Sequence, residues 1–116
     1  MDYAEFVAGL TKDGADIQVS ISAAQLDLWH AATGVSGEAG ELLDAVKKHV
    51  VYNKPLDLEN VIEELGDLRF YMQAIANNLE ITEEEILQHN LQKLGRRYAS
   101  GSYSDQQAQD RADKRA

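Results

Sequence analysis

Apolar residues between positions 35 and 51 recur at helical spacing. At 100° per residue, Ala39, Leu42, Leu43, Val46 and Val50 share one sector. Beyond Asp57, which can cap a helix start, Val61, Leu65, Leu68, Met72, Ile75 and Leu79 do the same. That helix is predicted to run to about Asn77 or Asn78. Leu87, Leu91 and Leu94 form another run behind Thr82-Glu-Glu-Glu85, a capping-box signature, and it is predicted to end near Arg97. Ser22-Ala-Ala-Gln25 is a similar signature and opens a helix to about Ala32, with Leu26 and Trp29 on its apolar side. Thr33-Gly34 reads as a break, with Ser36 able to cap the helix from about Val35 to Val51. Asn53-Lys54-Pro55 is a turn, since Pro55 disfavours helix just before it. Residues 2–10 read as a short amphipathic helix and Thr11 to Asp16 as a loop. Ile17 to Ile21 alternate like a strand, but without a partner strand they read as an extended connection.

Four helices with short connections and no credible strand predict an all-α fold of the four-helix-bundle type. A single domain is expected over residues 1–116, with its core at about 22–98 and a polar tail at 99–116 that forms no core face. The short turn at Pro55 makes the helices near 35–51 and 57–78 antiparallel neighbours. Ile62 and Phe70 form a second apolar group on the later helix, away from the intrachain seam. In so small a chain this predicts an oligomer, a homodimer or a tetramer built from dimers.

Charge narrows the choice of partners. A net charge of −9 argues against nucleic acid and anionic membrane surfaces. The chain has no cysteine, which excludes disulfide and thiolate chemistry. No apolar run approaches the roughly 18 residues of a membrane span, and no basic-then-apolar leader opens the chain, so a soluble, cytoplasmic protein is expected.

The candidate chemistry lies in two acid pairs. Glu38 and Glu41 on one helix, and Glu64 and Asp67 on the next, are each spaced by three residues. This puts each pair on one side of its helix, about 60° apart and beside the apolar sector. If the sectors pack together, four carboxylates meet at the edge of the seam, and four acids do not stay ionised there without a cation. Oxygen-only ligands suit a hard divalent ion, Mg²⁺ first and Mn²⁺ next. Such pairs also arise on solvated faces of any acidic helix, and Glu63 and Asp44 fall at angles that fit that reading.

The sequence around these acids resembles the MazG-like family of all-α nucleoside triphosphate pyrophosphohydrolases. Gly34-Val-Ser-Gly-Glu-Ala-Gly-Glu-Leu-Leu-Asp-Ala-Val-Lys-Lys48 is similar to the first motif helix of that family, and Glu63-Glu-Leu-Gly-Asp-Leu68 to its second. Asn90-x-x-Lys93-x-x-x-Arg97-Tyr98, followed by Gly101-Ser-Tyr-Ser104, is similar to its third block. The resemblance covers roughly residues 25 to 111. It implies Mg²⁺-dependent hydrolysis of (deoxy)nucleoside triphosphates to monophosphate and pyrophosphate, in the clearing of particular or non-standard nucleotides from the pool. It supports Glu38, Glu41, Glu64 and Asp67 as metal ligands, and of these Glu41 is the residue expected to orient the attacking water.

Asn90, Lys93 and Arg97 share one face of their helix, which suits phosphate oxygens, although basic residues in a last turn also complement the helix dipole. Lys47 is a further candidate for phosphate, and Trp29 for stacking on a base; Tyr71 fits core packing better. The histidines, His30, His49 and His89, are isolated, and none follows a glutamate by three residues, which disfavours a di-iron bundle. No P-loop motif occurs, so phosphates would be held by metal and side chains. The alternatives are a dUTP- or dCTP-type pyrophosphatase of the same superfamily, and a non-enzymatic helical interaction module.

Overall fold

The computed structural model describes residues 2–114. Among them, the chain forms six α-helices, a closing 3-10 turn and no strand, in agreement with the all-α expectation. It divides into two compact units, one running to Asn78 and the other starting at Leu79.

In the first unit, α1 (Tyr3–Leu10) is opened by a capping box, in which Asp2 accepts from the Glu5 amide and Glu5 accepts from the Asp2 amide. Helix α2 (Gly14–Ser20) stands where an extended connection was expected. Asp13 caps it, accepting from the Ala15 amide at 3.0 Å. The β-branched alternation of Ile17, Val19 and Ile21 suggested a strand. An unpartnered strand, however, leaves its backbone groups unpaired, whereas a capped helix pairs most of them locally.

Helix α3 (Ala23–Val51) is a single element of 29 residues, opened by the capping box of Ser22 and Gln25. The expected break at Thr33-Gly34 does not occur, and Ser36 lies in the helix interior rather than at a cap. The Thr33 hydroxyl donates back to the Trp29 carbonyl at 2.8 Å and so joins the helix. Gly34 is there for packing: a Cβ at this position would overlap the Tyr71 ring of α4 (Leu58–Leu79).

The turn between α3 and α4 is built as expected. Asn53 takes the left-handed conformation at φ 51°, and Asp57 accepts from the Asn60 amide at 3.1 Å. The His49 ring, through protonated Nδ1, donates to the Lys54 carbonyl at 2.7 Å and ties the turn to the end of α3.

The two long helices run antiparallel. Asn78 of α4 donates to the Ala24 carbonyl of α3. Tyr71 meets Gly34, with the His30 ring 6.5 Å away. Farther along the pair, Glu64 faces Glu38.

Among the described residues, those fully buried are alanines, Ala31 and Ala45 on α3 and Ala76 on α4, while Leu42, Val61, Leu68 and Ile75 are half-buried. Leu43, Val50, Leu65, Met72 and Leu79, expected inside the seam, are exposed.

The second unit holds α5 (Glu83–Arg97), capped by Thr82, which accepts from the Glu85 amide at 3.1 Å. Helix α6 (Asp105–Asp110) and a 3-10 turn (Ala112–Lys114) follow and pack back onto α5. The tail, expected to form no core face, therefore supplies the packing partner of α5. Among the described residues, no helix is long and apolar enough to cross a membrane.

Gly34→Ala tests the α3–α4 approach. At an open helical position such as Gly95, alanine should stabilise by about 1 kcal/mol. At Gly34 the added methyl must displace Tyr71, and we expect a net loss of about 1–3 kcal/mol in denaturant unfolding. Equal effects at the two positions would mean that the helices do not approach so closely at Gly34.

Candidate functional site

The antiparallel pairing brings the middle of α3 against the middle of α4. Glu64 and Asp67, one turn apart, occupy the same side of α4, and Glu38 meets them from α3. One carboxylate oxygen from each of the three lies within 4.8 Å of the others. Glu38 and Glu64 are half-buried and Asp67 is exposed, so the cluster sits at the edge of the seam with one open side.

Glu64 is the most constrained member. Its Oε2 is buried without a hydrogen-bond partner. A hydrogen shared with Glu38 raises its pKa above the ordinary glutamate value. Partial burial and the charges of Glu38, Glu41 and Asp67 push the same way. A buried, unpartnered carboxylate oxygen facing two other acids is a donor set lacking its acceptor, which is what a cation provides.

Oxygens sharing one Mg²⁺ lie at most about 4.2 Å apart, twice the usual Mg–O distance. The cluster therefore closes on such an ion with small side-chain adjustments. Acid clusters on surfaces are common, but a solvated face does not bury an oxygen without a partner. The residues present could hold a divalent metal ion.

The chain matches the model of the MazG nucleotide pyrophosphohydrolase domain over residues 30–101. It belongs to that family. The three clustered acids all lie within the matched segment, in the two motif helices. Gene 37 protein of Mycobacterium phage L5 is 35% identical over 79 residues, covering 64% of this chain and 68% of that protein. No solved structure matches the chain significantly.

Within the MazG frame, the remaining candidates are placed as follows. Glu41 is exposed one turn along α3 and is outside the close trio, although its charge contributes to the raised pKa of Glu64. Lys47 is exposed, and neighbouring Lys48 pairs with Asp44 at 3.1 Å on the helix surface. The exposed setting makes that pair worth little. Trp29 is 67% exposed on α3. Tyr71 is half-buried, wedged against Gly34 and edge-on to Phe70 at 5.2 Å, as a packing residue should be.

In the second unit, Asn90 is exposed and Lys93 half-buried on α5. Arg97 is engaged: its Nε donates to Asp113 Oδ1 at 2.7 Å and its Nη2 to Oδ2 at 3.2 Å. The Asp113 side chain is 1% exposed, and the guanidinium holds its pKa below the usual aspartate value. Sequence reasoning missed Asp113. It lies in a polar run whose only cue was that its acids could answer the basic end of α5.

Two expectations follow from these shifts. The folded-state pKa of Glu64 is raised, so its contribution to stability is present below the ordinary glutamate value and lost as pH rises through the folded value. Without divalent ions at neutral pH, Glu64→Gln should melt at a higher temperature than the parent, and the difference should close in mild acid. Adding Mg²⁺ should raise the melting temperature of the parent more than that of the variant. A parent indifferent to Mg²⁺ would remove the case for a metal site. Asp113 has the opposite sign: the stability it lends is present above the ordinary aspartate pKa and lost as pH falls through its lowered folded value. Amide exchange in residues 105–114 should accelerate across that acid range in the parent but not in Asp113→Asn.

Proposed function

We propose that this chain hydrolyses nucleoside triphosphates, ribo- or deoxyribo-, to the monophosphate and pyrophosphate, and clears particular or non-standard nucleotides from the cytoplasmic pool. Convergence of Glu38, Glu64 and Asp67 around a buried, unpartnered oxygen carries this reading, because it occurs on the motif acids of a nucleotide pyrophosphohydrolase family. Mg²⁺ is the proposed cofactor, with Mn²⁺ as its substitute. Bound there, the ion would offset the phosphate charge that an acidic site otherwise repels and would make a water more acidic.

In the reaction, a water oxygen bonds to the phosphorus nearest the nucleoside. The bond from that phosphorus to the bridging oxygen breaks, and pyrophosphate leaves with the electron pair. Glu41 is the proposed residue for orienting the water and taking its proton, since it carries charge close to the trio without belonging to it. Asn90, Lys93 and Arg97 are proposed to bind phosphate oxygens, with Lys47 as a further cation and Trp29 as a stacking surface for the base.

We also propose that the chain works as a homodimer or a tetramer of dimers. Among the described residues, no large side chain is fully buried. Phe70 is 68% and Ile62 60% exposed on the same helix as Glu64 and Asp67. Apolar area of that kind stabilises a protein only once something covers it.

A panel of common and damaged (d)NTPs, with Mg²⁺ and identified products, tests the activity. Glu38→Gln, Glu64→Gln and Asp67→Asn should each lower turnover about a hundredfold or more, near 2.7 kcal/mol in the barrier, with the helical circular dichroism retained. Hydrolysis by these variants at the parent rate would overturn the site. For assembly, light scattering at micromolar protein should give at least a dimer, and Phe70→Asp should shift it towards monomer. A monomeric parent would refute the proposed assembly.

A further inference from the structure

The end of the chain is fastened to α5 by charge. Among the described residues of the second unit, no apolar residue is fully buried, so little core holds residues 105–114 in place. Helix α6 has six residues and the closing turn three, too few to persist alone in water. Between them Arg111 sits in the left-handed region at φ 50°, a conformation that a residue with a Cβ adopts at a cost. Two residues on, Asp113 receives Arg97 Nε and Nη2 along one edge of the guanidinium, and this pair anchors the turn. Asp113 is ionised at neutral pH, its pKa being lowered by the same arginine.

The two N–H groups that hold Asp113 form a fork that also fits two oxygens of a phosphate. With the carboxylate in place that edge is filled, and the Arg97 side chain is only 17% exposed. A plain structural staple would also join the tail to α5. Such an element adds buried apolar area, however, and residues 105–114 contribute no fully buried side chain of that kind. A segment held mainly by one ion pair comes away when another anion takes the cation.

We propose that residues 105–114 form a releasable strap, in which the Asp113 carboxylate occupies the phosphate's place on Arg97 and is displaced when a polyphosphate binds there. The proposal rests on the phosphate role given to Arg97 above and adds the regulation of that contact. In the exchange one anion replaces another, so the largely buried guanidinium is never left unpaired. The closed strap lowers the apparent affinity for polyphosphate by the fraction of molecules that are open.

Amide exchange of the full chain, with and without inorganic tripolyphosphate and Mg²⁺, reads the strap directly. Saturating tripolyphosphate should speed exchange in residues 105–114 about tenfold or more, while α5 keeps its protection. Unchanged or slower exchange there would overturn the strap. In calorimetric titration, Asp113→Asn should bind tripolyphosphate roughly three- to tenfold more tightly than the parent, because no closed state has to open first. A structural staple gives the other sign, and parent-like or weaker binding by this variant would sink the proposal. Should the variant lose helical circular dichroism, exchange in the parent decides alone.

Arg97→Gln separates the strap from the reading beneath it. Tripolyphosphate binding that weakens in Arg97→Gln, with residues 105–114 still protected in the liganded parent, overturns the strap and keeps the phosphate role. Binding unchanged in Arg97→Gln overturns the phosphate role and the strap together, and leaves the hydrolysis proposed at the acids to its own test.

Discussion

The close approach of α3 to α4 at Gly34 is the contact on which the rest of the first unit depends. Tyr71 occupies the space a side chain would take, and the two helix axes are pinned there. Pinning one point of an antiparallel pair fixes the register of the whole pair, because each helix is rigid over its length. One turn farther along α3, that register brings Glu38 opposite Glu64 and Asp67. The acids therefore do not choose their neighbours: packing places them together, at an electrostatic cost that they would not accept on their own.

The residues buried on α3 and α4 are alanines, and the close approach at Gly34 lies one turn from the acids. The electrostatic cost is concentrated at the Glu64 oxygen that is buried without a hydrogen-bond partner.

The acid pairs were legible in the sequence because their positions follow from helical periodicity alone, and so were the caps at Ser22, Asp57 and Thr82. Gly34 was not. A glycine that ends a helix and one that admits a neighbouring ring look alike until the neighbour is known. Ile17 and Val19 misled for a related reason: their β-branched alternation is a local preference, and no second strand was present to reward it. Which carboxylates cluster most tightly could not be read either, since Glu41 and Glu38 are equivalent by angle, and only the height of α4 against α3 separates them. The pairing of Arg97 with Asp113 joins residues across a turn of polar sequence that carries no apolar pattern to follow.

The unbroken course of α3 has one further consequence. At 1.5 Å per residue its 29 residues form a rod about 43 Å long. Trp29, Glu38, Glu41 and Lys47 ride on it at fixed heights, with Trp29 about 13.5 Å along the axis from Glu38. With no hinge between them, the helix acts as a ruler and a phase reference together. A single inserted residue between Trp29 and Glu38 would turn one against the other by about 100°. An insertion of seven would nearly restore the angle while adding about 10.5 Å. Change along this segment is thus confined to substitutions, while differences in length must be taken up in the connections at either end.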